Sequence, residues 1–246
     1  MRSNGLVKTI KFKNPVYVGD PINAVKIFNE KEVDELIFLD IDATRKRTEP
    51  SYHIIKNIAS ECFMPFCYGG GINRLDQIEK IVELGTEKVC INSAAYLQPG
   101  LVKEAVEKFG SSTIVVAIDV KKNTFGKYRV YINGGTMDTK QHPAEYVKRI
   151  ESLGAGEIFL NSIDRDGTMA GYDLDMIKMV SGTVSIPVIV CGGAGNLQHF
   201  KEAITIGGAS AVSAGSFFVF QGKRRAVLIT YPEYKVIKEI FQIKNE

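Results

Sequence analysis

The sequence predicts an α/β fold, a (β/α)8 barrel of the TIM type built from two half-barrel repeats. Three observations carry that expectation. Short apolar runs recur along the chain, and each is followed by a stretch with helical spacing. The runs are nearly continuous in apolar residues, as in strands covered on both faces, which means a parallel sheet with helices outside it. One set of motifs also occurs twice: Pro65–Gly71 (PFCYGGG) resembles Pro187–Gly193 (PVIVCGG). After each come a helix, a glycine and a strand closing in small polar residues, Cys90–Ser93 and Ser213–Ser216.

Taken in order, Leu6–Phe12 alternates weakly and allows a short strand or a mobile loop. Asp20-Pro21 reads as an N-cap followed by proline at the first helical position, opening a helix over Pro21–Lys31. The strands expected next are Glu35–Asp40, Pro65–Tyr68, Lys88–Ile91, Thr113–Asp119, Glu157–Asn161, Pro187–Cys191 and Ser210–Ala214. The helices between and after them are Ser51–Glu61, Arg74–Leu84, Leu101–Phe109, Ala144–Leu153, Asp173–Val180, Leu197–Ile206 and Pro232–Gln242. Gly85, Gly110, Gly154 and Gly207 stand where helix C-caps fall. The tract Val120–Pro143 holds a small hairpin inserted after a strand. No linker interrupts the pattern, so residues 1–246 form one domain, and seven or eight βα units in that length match a barrel.

Composition narrows the function. Apolar residues make up 45% and charged residues 24% of the 246, which a soluble globular protein has and a disordered chain does not. Formal charge is +3, from 31 basic and 28 acidic residues, too balanced to point to nucleic acid or an anionic membrane. No apolar run reaches the ~18–20 residues of a membrane span, and no signal peptide is visible, so the expected location is the cytoplasm. Cys62, Cys67, Cys90 and Cys191 form no CxxC pair and read as small buried hydrophobes; no metal or cofactor is expected.

In a barrel the active site lies at the C-terminal ends of the strands. Asp119 closes the longest apolar run, and partial desolvation there suits a carboxylate to general acid or base work; Asp40 is a weaker case of the same kind. Asn92, Asn161, Ser162, Asp164 and Asp166 also close runs or follow them. The Gly69–Gly71 and Gly192–Gly195 turns, at matching positions in the two halves, suggest two phosphate sites across the mouth from each other. Gly70, Gly71, Gly192 and Gly193 would carry them, with hydroxyls from Ser93 and Ser216. The substrate would then have a phosphate at each end. Lys8 is either a contact from the mobile segment or a solvated lysine. His53, His142 and His199 read as ordinary helix or loop residues. Glu35, Lys88 and Glu157 begin strands and so belong to the opposite face, where charges ordinarily serve stability or solvation, and where a charged ring could also gate a pore or dock a partner.

These motifs resemble the cyclase subunit of imidazole glycerol phosphate synthase. A more distant likeness is to the phosphoribosyl isomerase of histidine biosynthesis, and a phosphosugar isomerase is the remaining alternative. The resemblance is carried by Asp34–Asp40 (DELIFLD), Gly69–Ile72 (GGGI), Lys88–Ala95 (KVCINSAA), Val115–Asp119 (VVAID), Gly154–Ile158 (GAGEI), Ser162–Thr168 (SIDRDGT), Gly171–Asp173 (GYD) and Gly192–Asn196 (GGAGN). It runs from Leu6 to Phe220. In that family a glutaminase partner makes ammonia, which crosses the barrel and reacts with a bisphosphorylated ribulosyl aminoimidazole carboxamide intermediate. The products are imidazole glycerol phosphate and an aminoimidazole carboxamide ribotide. The resemblance implies that Asp119 is the fifth-strand catalytic aspartate and that Lys8 is the lysine of a mobile first loop. It implies that Gly70, Gly71, Asn92, Ser93, Gly192, Gly193 and Ser216 bind phosphate, and that Glu35, Lys88 and Glu157 form the gate facing the glutaminase. The family's first strand, with its other catalytic aspartate, would precede Arg2, so one stave is expected to be missing, through a misplaced start codon or a shortened sequence. Asn161, Cys191, Asp42 and Tyr68 stand where the family usually has threonine, serine, threonine and a small aliphatic residue, all four expected near the mouth. Those departures raise the alternative of a second-copy paralogue in surface-polysaccharide synthesis: a noncatalytic ammonia conduit docking a sugar amidotransferase.

Overall fold

The computed structural model describes residues 1–241. The chain opens with an antiparallel hairpin, β1 (Leu6–Ile10) and β2 (Lys13–Gly19), followed by α1 (Pro21–Glu30). The first barrel units are β3 (Leu36–Leu39) with α2 (Ala43–Lys46) and α3 (Tyr52–Glu61), then β4 (Phe66–Gly69) with α4 (Leu75–Glu83). Next come β5 (Lys88–Ile91) with α5 (Ser93–Leu97) and α6 (Gly100–Phe109), and β6 (Ile114–Lys122) with its insertion β7 (Tyr128–Ile132) and β8 (Met137–Asp138). The second half holds α7 (Pro143–Ser152), β9 (Glu157–Ser162), α8 (Leu174–Ser181), β10 (Val188–Cys191), α9 (Leu197–Thr205), β11 (Ala211–Val212) and α10 (Ser216–Val219). A small hairpin, β12 (Phe220–Gln221) and β13 (Ala226–Val227), and α11 (Tyr234–Phe241) complete it. The last helix expected from the sequence thus starts two residues later than predicted, and its Gln242 lies outside the described residues.

Seven parallel staves run in the order β11-β10-β9-β6-β5-β4-β3, the sheet of a barrel of the expected class. Among the described residues no strand pairs with the outer edge of β3 or β11. Met1 lies along the end of β3: its carbonyl accepts from Ile41 N at 3.1 Å, and its ammonium bonds to the Leu39 carbonyl. β11 is shorter than the predicted Ser210–Ala214, and its Ala211 is exposed, as suits a stave with a partner on one side only.

Alternation along each stave sorts side chains into two cores. Phe66, Tyr68, Val89, Ile91, Ile114, Val116, Ile118, Ile158, Leu160, Val188 and Val190 point outward into one large cluster with the helices. Cys67, Cys90, Val115, Ala117, Phe159 and Ile189 form a separate cluster in the lumen, backed by Ile37, Leu39 and Cys191. The continuous apolar runs of the sequence are therefore two interleaved sets, one for each face.

The helices hold for local reasons. Asp20 caps α1 by accepting from Asn23 N at 3.0 Å, with Pro21 at the first position. Gln77 reaches back from α4 to the amides of Asn73 and Arg74 at 2.8 and 3.1 Å. Gly85, Gly110 and Gly154 end helices at positive φ as expected, but Gly207 does not: Gly208, at φ 75°, makes that left-handed turn. Gly207 is required for packing instead, since a Cβ there would come within 2.6 Å of the Ala203 carbonyl.

The insertion after β6 is the predicted hairpin, with β6 running on past Asp119 to Lys122 and pairing with β7. Tyr68 corrects one expectation. It does not face the mouth but lies in the outer layer, fully buried, its ring 6.4 Å from that of Phe38 and its hydroxyl accepting from Ser51 N at 3.3 Å.

Candidate active site

The lumen is charged at its lower end. Lys88 Nζ donates to Glu157 Oε1 and Oε2 at 2.8 and 3.0 Å and to Glu35 Oε2 at 3.1 Å. The three residues that the sequence singled out as a ring thus meet around one ammonium. Burial pulls the Lys88 ammonium down, but its bonds to the two carboxylates outweigh this and its pKa is raised. Burial raises the Glu35 pKa, partly offset by Lys88, and its Oε1 is buried without a hydrogen-bond partner.

The β6–β9 ladder leads upward from that cluster. Val115 pairs with Glu157, Ala117 with Phe159 and Asp119 with Asn161. Two residues of strand rise by ~6.5 Å, so the top rung stands ~13 Å above the gate. β5 repeats the pattern in Lys88, Cys90 and Asn92. Cys67 and Cys90 sit side by side in the lumen, and the hydrogen bond between them together with burial keeps the Cys67 thiol protonated.

Asp119 is at the mouth. Asn92 Nδ2 donates to its Oδ2 at 3.2 Å and to the Ala117 carbonyl at 3.0 Å, so the amide ties the carboxylate to its own strand. Asn161 stands beside it on the other side, in register on β9, and its amide favours the charged form. Desolvation, aided by the negative charge of Asp166, wins over both amides and pushes the Asp119 pKa up to about 7. A carboxyl group at that value holds and releases a proton near neutrality. Asn161 is buried, and its Oδ1 has no partner. Cys191 lies in the same mouth, its thiol pushed up to about 11 chiefly by burial.

Both glycine-rich turns need glycine for the protein's own packing. Gly70 and Gly71 have φ of 123° and 74°, and a Cβ on Gly70 would lie 2.4 Å from the Asp40 carbonyl. Gly192 and Gly193 have φ of 92° and 112°, and a Cβ on Gly193 would lie 2.2 Å from the Gly171 carbonyl. Their strands, β4 and β10, are separated by β5, β6 and β9, four steps apart along the seven curled staves. Ser93 and Ser216 open short helices beyond β5 and β11. Ser93 Oγ already accepts from Asn133 N at 2.9 Å, in the β7–β8 hairpin. Asp40 holds its own loop together, accepting from Asp42 N, Ala43 N and Ser51 Oγ at 3.1, 3.2 and 3.3 Å.

Lys8 belongs to a strand, β1, and is half-buried. Its ammonium lies against Gly215, where a Cβ would come within 2.1 Å of Nζ, and burial lowers its pKa despite the thiol of Cys191 and the charge of Asp166. Among the described residues it has no hydrogen-bonding or ion-pair partner. Asp166 sits beneath the hairpin, accepting at Oδ2 from Thr9 Oγ1 at 2.7 Å and from Phe12 N at 3.1 Å. Sequence reasoning missed Thr9, Phe12 and Arg225, whose Nη1 reaches the Gly167 carbonyl at 2.9 Å from beyond the last stave. No motif marks them; they are joined to the mouth only by long-range packing. Among the described residues no group of three or more His, Cys, Asp or Glu side chains is arranged to hold a metal, and no helix is long and apolar enough to cross a membrane.

The chain matches the family described as histidine biosynthesis protein over residues 2–224. A relative from Pseudomonas aeruginosa, named "Putative imidazole glycerol phosphate synthase subunit hisF2", is 53% identical over 95% of this chain and 93% of its own length. One from Vibrio vulnificus, named "Putative imidazole glycerol phosphate synthase subunit hisF3", is 49% identical over 99% and 94%. The "Imidazole glycerol phosphate synthase subunit HisF" of a Hydrogenobaculum species is 45% identical over 90% and 88%. With its barrel sheet, its gated lumen and a perturbed carboxylate at the mouth, the chain belongs to the histidine biosynthesis protein family and stands among its HisF-like members.

Proposed function

We propose that this chain is the cyclase subunit of an imidazole glycerol phosphate synthase, receiving ammonia from a glutaminase partner in the cytoplasm. The observation that carries the reading is the continuity of β9 and its neighbours: a charged cluster at Glu157, an apolar wall at Phe159, and an acid beside Asn161. A small neutral molecule entering at Lys88 meets no further charge until it reaches Asp119. The bisphosphorylated ribulosyl aminoimidazole carboxamide intermediate would lie across the mouth, one phosphate at Gly70 and Gly71 and the other at Gly192, Gly193 and Ser216, where the unpaired Lys8 ammonium adds charge. Asp119, with its pKa about 7, would take a proton from the attacking nitrogen and return one to a leaving oxygen. The Asn161 Oδ1, buried without a partner, would accept from a donor on the substrate. Purified protein given that intermediate and ammonium salt should form imidazole glycerol phosphate; no imidazole product rejects the cyclase.

A second reading has support in how unevenly the chain departs from its family. The gate residues Glu35, Lys88 and Glu157 are all kept, while Asn161 and Cys191 alter the mouth. An ammonia conduit docked to a sugar amidotransferase of surface-polysaccharide synthesis would need the gate and not the mouth. It predicts no imidazole in the same assay, with glutaminase docking retained.

A further inference from the structure

The turn between β1 and β2 is built from unsuitable residues. Lys11 and Phe12 both adopt left-handed backbone, φ 53° and 60°, in a two-residue hairpin turn that favours asparagine and glycine. Side chains of this size disfavour that conformation, so something outside the hairpin must hold it. One residue does so. The Lys11 amide donates to the Asp166 carbonyl at 3.0 Å, and the Phe12 amide and the Thr9 hydroxyl both donate to the Asp166 carboxylate. The fit around it is close: a Cβ on Gly167 would lie 2.0 Å from the Thr9 carbonyl, and one on Gly135 would lie 2.9 Å from the Phe12 ring. Lys8 directly precedes Thr9, and its ammonium lies at Gly215 on the mouth.

From this geometry we infer that Asp166 is a positioning residue, a latch that grips the β1–β2 turn through Thr9 and Phe12 and thereby holds Lys8 in the mouth. This is a role beside the substrate contact that the sequence leads us to expect of Asp166. It rests on the proposed function only in taking Lys8 as the cation that receives an anionic group; the latch itself concerns the free chain. The carboxylate accepts and does not need its charge to do so, which separates the latch from an electrostatic role.

The test is lysine labelling of the ligand-free full chain with acetic anhydride, mapped by mass spectrometry, with exposed Lys103 as internal reference. Wild-type Lys8 should be protected relative to Lys103. Thr9→Val, which keeps the shape and removes the donor, and Asp166→Ala should each raise Lys8 labelling at least about fivefold, the size expected for losing an ordinary hydrogen bond. Thr9→Ser and Asp166→Asn, which keep a donor and an acceptor, should stay within about threefold of wild type. Lys8 labelling unchanged in both Thr9→Val and Asp166→Ala overturns the latch, whatever happens to the melting temperature. Asp166→Asn labelled as fast as Asp166→Ala also overturns it, by showing that charge and not geometry acts. An absence of imidazole formation leaves these readings untouched.

Discussion

The two ends of the lumen handle charge in opposite ways. At the gate, one ammonium sits between two carboxylates with bonds of 2.8–3.1 Å, and each charge has an opposite one beside it. At the mouth the charges do not settle one another. Asp119 is pushed up to about 7, the Lys8 ammonium is desolvated without a partner, and Asn161 Oδ1 is buried and unpaired. At the gate only Glu35 Oε1 is left buried without a hydrogen-bond partner, and no charge lacks an opposite one. The mouth keeps an unpaired ammonium, a raised carboxyl pKa and an unpaired acceptor, the pattern by which binding and catalytic sites differ from structural ion clusters.

The strongest way to break that contrast is Asp119→Asn. Turnover should fall by about 10²–10⁴-fold while affinity for the bisphosphorylated intermediate stays within about threefold, read from steady-state kinetics and binding. Normal turnover would remove Asp119 from the chemistry. Next is Lys88→Met, which leaves two partly buried carboxylates facing each other. With Lys88 only 20% exposed, stability near neutral pH should drop by about 1–3 kcal/mol by chemical denaturation. The deficit should shrink on acidification, because the raised pKa of Glu35 lets it take up a proton early and relieve the repulsion.

The same Asp119→Asn variant should move stability the other way. A carboxyl raised to about 7 holds a proton that the unfolded chain releases near its ordinary value of 3.8. That contribution is full below about pH 4, is lost as pH rises through about 7, and is absent above it. The substituted amide carries no such penalty, so at about pH 8 the variant should be more stable than wild type by about 1–2 kcal/mol, less than the full shift implies because the site meets solvent. At about pH 4 the two should match. A variant less stable at both values would mean that the mouth, like the gate, is a satisfied cluster. The smallest effect sets the scale: Asp20→Ala, at the exposed cap of α1, should cost about 0.5–1 kcal/mol with turnover unchanged.

Much of the barrel was legible because strands covered on both faces leave continuous apolar runs, and five of the seven parallel staves coincide with their predicted runs to within one residue. The ring Glu35, Lys88 and Glu157 was legible too, since charges at strand starts have one rim to share. Asp40 was less so. A strand-end carboxylate that caps its own loop and one that faces the mouth look the same in sequence, and only the bonds to Asp42 N and Ala43 N separate them. Tyr68 was misplaced because a one-residue difference in register moves a side chain from lumen to outer layer. The bond between Asp166 and Thr9 was not legible, as the two lie 157 residues apart.

The order of strands and helices, the two glycine turns and the acid that closes the apolar run of β6 follow from the sequence, because they depend on local periodicity and on neighbours a few residues apart. Which face each residue takes, which charges meet, and that Asp119 is desolvated while Lys88 is paired were decided by the tertiary structure. Those properties come from curling the sheet around a narrow lumen, where side chains from strands far apart in sequence share one low-dielectric space.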